Sequence, residues 1–346
     1  MKMEQIFKQF HEKLLKQLSL DLNCSPADFS AQENVITESA LNEGRRSYSP
    51  GKPFLEMATL GGNTVITADQ RLHGFLRQWS RNTEGHRLFE LDHLIQLNGM
   101  LKAYGYRMAP THHMFLPCRE VQAEELCQAR WLYEEEITPF YGDPRFPNAI
   151  AYPKPCPVRP DRIAVIALDG DKIMGMAGCS EDAPKFQQIG IDVLPEYRSR
   201  GIGAYLVTLL KNRIIEMGDT PFYGTAAANL RSQNIAVKSG FQPARVEMEE
   251  VRLKDENGKN VRLLRSPQAP WGRDRWPPAQ GDGQQNDDRF FFCHASLPLT
   301  DPRRAWTGPI GVRNHQMLRP RSSRWVPDPR LPSPSSWSAF PCPGWG

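Results

Sequence analysis

The residues with the most chemistry in them lie together between Gln187 and Gly203, in the run QQIGIDVLPEYRSRGIG. An apolar stretch leads into a proline, a basic glycine-rich turn and the start of an amphipathic helix. Glycine lets a backbone come close to a ligand, and a new helix offers unpaired N–H groups and the positive end of its dipole. Arg198 and Arg200 add fixed positive charge. These features together suit a pyrophosphate.

Glycine turns come in several kinds, and two of them fail here. A Walker-type loop requires G-x-x-x-x-G-K-S/T, which is absent around Gly201. A dinucleotide-binding turn requires G-x-G-x-x-G, and Gly201-Ile202-Gly203 is followed by Ala204, Tyr205 and Leu206, without the third glycine. What remains is Q/R-x-x-G-x-G/A, written here as Arg198-Ser199-Arg200-Gly201-Ile202-Gly203.

The elements that must position this turn are legible around it. Ile163 to Leu168, Asp169-Gly170 and Lys172 to Gly178 read as a hairpin, followed by a strand from Ile189 to Leu194. A helix over about 202–217 is expected to bury Leu206, Leu209, Leu210, Ile214 and Met217 and to stop at Gly218 and Pro221. Phe222 to Ala227 reads as a strand, Ser232 to Ser239 as a short helix closed by Gly240, and Arg245 to Leu253 as a last strand. This is a layered α/β domain over 120–253.

Residues 1–119 read as a smaller mixed α/β domain. Ile6, Phe10, Leu14 and Leu18 form a helical stripe that needs a partner surface. Leu55 to Leu60 and Asn63 to Thr67 read as two strands about Gly61-Gly62, and Thr67 with Gln70 reads as a capping box. His112-His113 is a poor catalytic pair, because neighbours on a strand point to opposite faces.

Composition narrows the function classes. A net charge of +4 over 346 residues gives no general attraction for nucleic acid. The amino terminus scatters charge through its apolar residues, which excludes a secretory signal, and no apolar run is long enough to span a membrane. Seven cysteines show neither a C-x-x-C pair nor a Cys/His spacing typical of zinc, so no metal is expected and a reduced, cytoplasmic chain is the simplest reading.

The turn has a companion downstream. Asn229-Leu230-Arg231-Ser232 runs through to Lys238-Ser239-Gly240-Phe241, an N-x-x-S start and a helix ending in Gly-Phe. With both motifs in order, residues 160–253 resemble the GNAT superfamily of N-acetyltransferases. The amino-terminal half is similar to the extra domain of some bacterial members. The expected fold is therefore a GNAT-like mixed sheet flanked by helices, preceded by a smaller mixed α/β domain.

The resemblance implies acetyl-CoA as co-substrate and an amine as acceptor, and a homodimer is compatible with it. The N–H groups of Arg200, Gly201, Ile202, Gly203 and Ala204 would hold the pyrophosphate, with Arg198, Ser199 and Asn229 beside it. The strand end at Asp192, Val193 and Leu194 would pair with the pantetheine arm, and an amide near Val193 would stabilise the oxyanion. The amine would attack directly, with no covalent enzyme intermediate. Many relatives place a proton-donating tyrosine where this chain has Ala236, so Tyr197, Tyr223 or Ser232 would have to substitute. Candidate bases are Asp192, Glu196, Glu181 and Asp182. A module that binds acyl-CoA without turnover is the alternative, and Ala236 is what favours it.

The segment 254–346 is of another kind. From 266 onward it holds no Lys, Glu or Tyr, but 14 of the 30 prolines and six of the eight tryptophans. Disorder is expected. An anion-binding arm is one reading of it; a stretch never selected to fold, such as readthrough or a shifted frame, agrees better with the loss of Lys and Glu.

Overall fold

The stripe of the first helix finds its partner on a sheet that runs through nearly the whole described chain. The computed structural model describes residues 2–46 and 51–254. The Pro/Arg/Trp-rich tail, from residue 255 onward, and the disorder expected of it lie outside the described residues. Helix α1 (Lys2–Asp21) packs Phe10, Leu14 and Leu18 against Ala58, Val65, Leu116 and Phe222.

The strands are β1 (Val35–Glu38), β2 (Leu55–Thr59), β3 (Thr64–Ala68), β4 (Tyr106–Met108), β5 (His112–Pro117), β6 (Gln128–Tyr133), β7 (Asp161–Asp169), β8 (Lys172–Ala183), β9 (Phe186–Val193), β10 (Thr220–Ala226) and β11 (Phe241–Arg252). Their order is β1-β3-β2-β11-β5-β10-β9-β8-β7-β6, with β4 paired to the end of β11. The parallel contacts are β1/β3 and β9/β10. Helices α2 (His73–Trp79) and α3 (Leu91–Lys102) cover β2, β3 and β11 on the face opposite α1. Helices α4 (Ile202–Glu216) and α5 (Leu230–Lys238) cover the second half of the sheet.

The boundary expected at 119/120 does not coincide with a break in this sheet. Strand β5, from the first part, is hydrogen-bonded between β10 and β11 of the second, with Phe115 opposite Tyr223 and Pro117 opposite Phe241. Pairing across more than a hundred residues leaves no local trace in the sequence. The described residues all fall in one compact unit.

Local expectations hold in most places and shift in two. The Leu55–Thr67 hairpin forms with Thr59 opposite Thr64. Thr67, expected as a cap, lies inside β3; Asp69 caps instead, accepting from the Arg71 amide. Helix α5 starts at Leu230 rather than Ser232, because Asn229 caps it through the Ser232 amide.

Candidate functional site

Strands β9 and β10 run side by side and then part. Their parallel register goes from Thr220 opposite Phe186 to Tyr223 opposite Ile189. Beyond that point β9 continues to Val193 against β8 alone, and Gly224 to Ala226 of β10 pair with β5. A wedge therefore opens in the sheet after Ile189 and Tyr223. Along it, the edges of β9 and β10 that faced each other have no strand partner among the described residues.

The glycine turn sits at the end of β9. The Leu194 amide donates to Met174 O at 2.9 Å, and Pro195–Tyr197 makes one 3-10 turn. Ser199 and Gly201 then both take left-handed backbone, at φ 63° and 86°. For Ser199 that is an uncommon conformation, and for Gly201 it is the reason glycine is needed. Gly201 is the N-cap of α4, so it brings no side chain to cap the helix. Among the described residues, the N–H groups of Ser199 through Ala204 make no backbone or side-chain hydrogen bond. A helix start leaves four such donors; here the run reaches into the turn before it.

Charge surrounds these amides. Arg198 and Arg200 are exposed, Arg198 folding back to donate from Nε to Val193 O at 3.0 Å and Arg200 lying over the Tyr197 ring at 5.4 Å. Ile202 points into the core. Gly203 is buried, and a Cβ there would lie 2.9 Å from Ile235 Cδ1 on α5. Its smallness lets the two helices approach each other. Ala204 accepts from Ser239 Oγ at 3.1 Å, tying α4 to the end of α5.

Two further expected residues come together at the mouth of the wedge. Tyr223 is buried against the Phe115 and Phe241 rings, and its hydroxyl lies 2.7 Å from Ser232 Oγ. Ala236, where relatives of the resembled type place tyrosine, is fully buried in the same core. Asn229, expected among the cofactor residues, spends its side-chain oxygen on the cap of α5.

Asp192, expected among the candidate bases, is held by three donors. Its carboxylate accepts from the Asn148 amide at 2.7 Å, the Ala149 amide at 2.8 Å and Asn148 Nδ2 at 2.5 Å. Burial pushes its pKa up, while these donors pull the other way. It anchors the 146–150 segment. That segment lies directly on the sheet: a Cβ at Gly190 would meet Asn148 O at 1.9 Å, and one at Gly178 would meet Ala149 O at 2.3 Å. Gly178 and Gly190 are opposite each other in the β8/β9 register. Glycine inside a strand is the signal that points to such an approach, and it went unread in the sequence.

The remaining candidates are placed plainly. Glu196 is exposed, Glu181 pairs with Arg162, and Asp182 is buried in an ion pair with Arg159 at 2.7 Å. The Tyr197 hydroxyl donates to Asp169 at 3.4 Å. Burial pushes the Cys179 thiol up to about 12, so it is an inert core residue. Among the described residues, no group of three or more His, Cys, Asp or Glu is arranged for a metal, and no helix is long and apolar enough to cross a membrane.

The wedge and its open amides fall inside residues 124–241, which match the model of the acetyltransferase (GNAT) family. The chain carries a GNAT domain. Solved structures similar to it include a GNAT-family acetyltransferase from Novosphingobium aromaticivorans (17% identity over 44% of this chain and 69% of that one, TM-score 0.35). Another is a GNAT acetyltransferase from Colwellia psychrerythraea (16% identity, 42% of this chain and 57% of that one, TM-score 0.32). A third is an acetyltransferase from Salmonella typhimurium solved with its cofactor acetyl-CoA (12% identity, 40% of this chain and 99% of that one, TM-score 0.28). No curated protein matches the sequence. The GNAT assignment therefore stands on the 124–241 match, and within it on the turn and wedge.

Proposed function

We propose that the protein transfers the acetyl group of acetyl-CoA to an amine by direct attack. The observation that carries this is the unbroken run of open amides from Ser199 to Ala204 at the start of a 15-residue helix. That run suits the pyrophosphate, with the helix dipole and the Arg198 and Arg200 charges adding attraction. The open edge of β9 then gives the pantetheine arm a strand to pair with. An amide of this edge near Val193 would meet the thioester oxygen and stabilise negative charge as the amine adds.

Holding thioester and amine together at the wedge supplies orientation. The Tyr223–Ser232 pair supplies a hydroxyl for the departing thiolate, in place of the one absent at Ala236. Asp192 supports the site by fixing residues 146–150 against β8 and β9. A cytoplasmic location agrees with the free thiols of Cys24, Cys118, Cys127, Cys156 and Cys179.

A module that binds acyl-CoA without turnover is the second reading, and the buried Ala236 is the observation behind it. Calorimetry with acetyl-CoA and a thiol-release assay over a panel of amines separate the two. Binding with CoA release supports transfer, binding without release for any amine supports the sensor, and absence of binding overturns both.

A further inference from the structure

One side chain touches both halves of the wedge site. The Leu194 amide donates to Met174 O on β8, and the two residues are opposite each other once the register that sets Val193 against Gly175 runs one step on. In an antiparallel ladder, pairs that exchange both hydrogen bonds alternate with pairs that exchange none. Asp192 and Leu194 therefore turn their N–H and C=O groups to β8. Ile191 and Val193 turn theirs the other way, onto the open edge of the wedge. From Ile191 to Val193 that edge reads donor, acceptor, donor, acceptor.

The last acceptor of this run is taken. Arg198 Nε donates to Val193 O at 3.0 Å. The Arg198 side chain is exposed, and its other N–H groups make no hydrogen bond or ion pair with any described residue. A single exposed bond gains little against the freedom that a long side chain gives up, so the contact exchanges easily.

Arg198 also opens the glycine turn, directly before the free amides of Ser199 to Ala204. Val193 lies against the same turn: its Cγ2 is 3.6 Å from where a Cβ on Gly203 would stand. One guanidinium thus has the strand carbonyl and the amide run within its reach.

A pantetheine arm that pairs with this edge brings N–H groups of its own, and Val193 O is the outermost acceptor for them. To use it, the arm must displace Arg198. For the arm alone, one hydrogen bond replaces another and the exchange gains little. With a pyrophosphate on the amide turn, the freed guanidinium gains an anionic acceptor in place of a neutral one.

We propose that Arg198 is a specificity-determining latch, which occupies Val193 O until a pyrophosphate draws it away. The protein then selects thioesters of CoA against thioesters on a pantetheine arm that lacks the pyrophosphate. The assignment rests on the acetyltransferase reading and adds a sign to it: Arg198 helps the phosphate end of the donor and opposes the arm.

The test measures the affinity of the full chain and of its Arg198→Ala variant for acetyl-CoA, ADP and S-acetylpantetheine by calorimetry, the last by displacement against acetyl-CoA. ADP carries the pyrophosphate without the arm, and S-acetylpantetheine carries the arm and thioester without a phosphate. Arg198→Ala should weaken ADP and acetyl-CoA by about tenfold. It should tighten S-acetylpantetheine by about threefold, the weight of one exposed hydrogen bond no longer in competition. A charge that only attracts phosphate would leave S-acetylpantetheine unchanged. If the parent binds acetyl-CoA but either fragment fails to move in its stated direction, the latch is overturned and the acetyltransferase reading stands. A parent that does not bind acetyl-CoA sinks both.

Discussion

Helices α4 and α5 begin a few residues from the wedge, pack against each other through Gly203 and Ile235, and solve the same problem in opposite ways. Each starts with N–H groups that have no partner within the helix. Asn229 closes α5 with its own side chain, bonding the Ser232 amide at 3.2 Å. Gly201 has no side chain to close α4, and the left-handed backbone at Ser199 and Gly201 extends the open amides upstream. On the proposed function, the helix left open is the one that takes the pyrophosphate. The buried carboxylate of Asp192 is closed in the same way as α5, bonded by three donors.

The largest expected effect comes from spoiling the open helix start. Gly201→Val puts a branched side chain where φ is 86° and beside the free amides. Losing two charge-assisted bonds to a pyrophosphate should weaken acetyl-CoA by at least about a hundredfold by calorimetry. The backbone strain costs the fold only about 1–2 kcal/mol, so the melting temperature should fall by a few degrees. Unchanged affinity in a folded protein would show that the amides hold no phosphate. Gly203→Val sharpens the point, because its Cβ meets Ile235. There the loss should appear first in stability.

How much of this was legible depends on how local each feature is. The glycine turn, the helix after it and the Asp169-Gly170 hairpin are written in consecutive residues, and all three form where expected. The placement of β5 between β10 and β11 depends on partners more than a hundred residues apart, which periodicity cannot reveal. Asp192 looked like a candidate base because a lone acid stood in an apolar strand. Its partners, Asn148 and Ala149, lie some forty residues back in a proline-broken connection. The glycines at 178 and 190 were the readable hint that something packs there.

A middle-sized effect is expected at Tyr223. If its hydroxyl, with Ser232, protonates the departing thiolate, Tyr223→Phe should lower kcat by about a hundredfold, the lower range for a positioned general acid. The KM for acetyl-CoA should stay within about twofold, because the hydroxyl does not face the amide turn. Ser232→Ala should lower kcat less, since Tyr223 keeps its own proton. A Tyr223→Phe protein with full kcat would mean that the thiolate leaves unaided and that the pair is a core hydrogen bond. The stability loss, about 1 kcal/mol for one buried hydrogen bond, is then all that would remain.

The smallest effect tests the closed helix. Asn229→Ala removes the side-chain acceptor for the Ser232 amide and should cost about 1 kcal/mol, read as a lowered denaturation midpoint with unchanged slope. Because α5 is capped by this residue and α4 is not, acetyl-CoA affinity should stay within about twofold of the parent. Asn229 was first expected among the cofactor residues, so the result discriminates between two roles at one position. A tenfold loss of affinity would mean that its side-chain NH2 group reaches the ligand while its oxygen caps the helix. In that case the two helix starts would form one site rather than an open end beside a closed one.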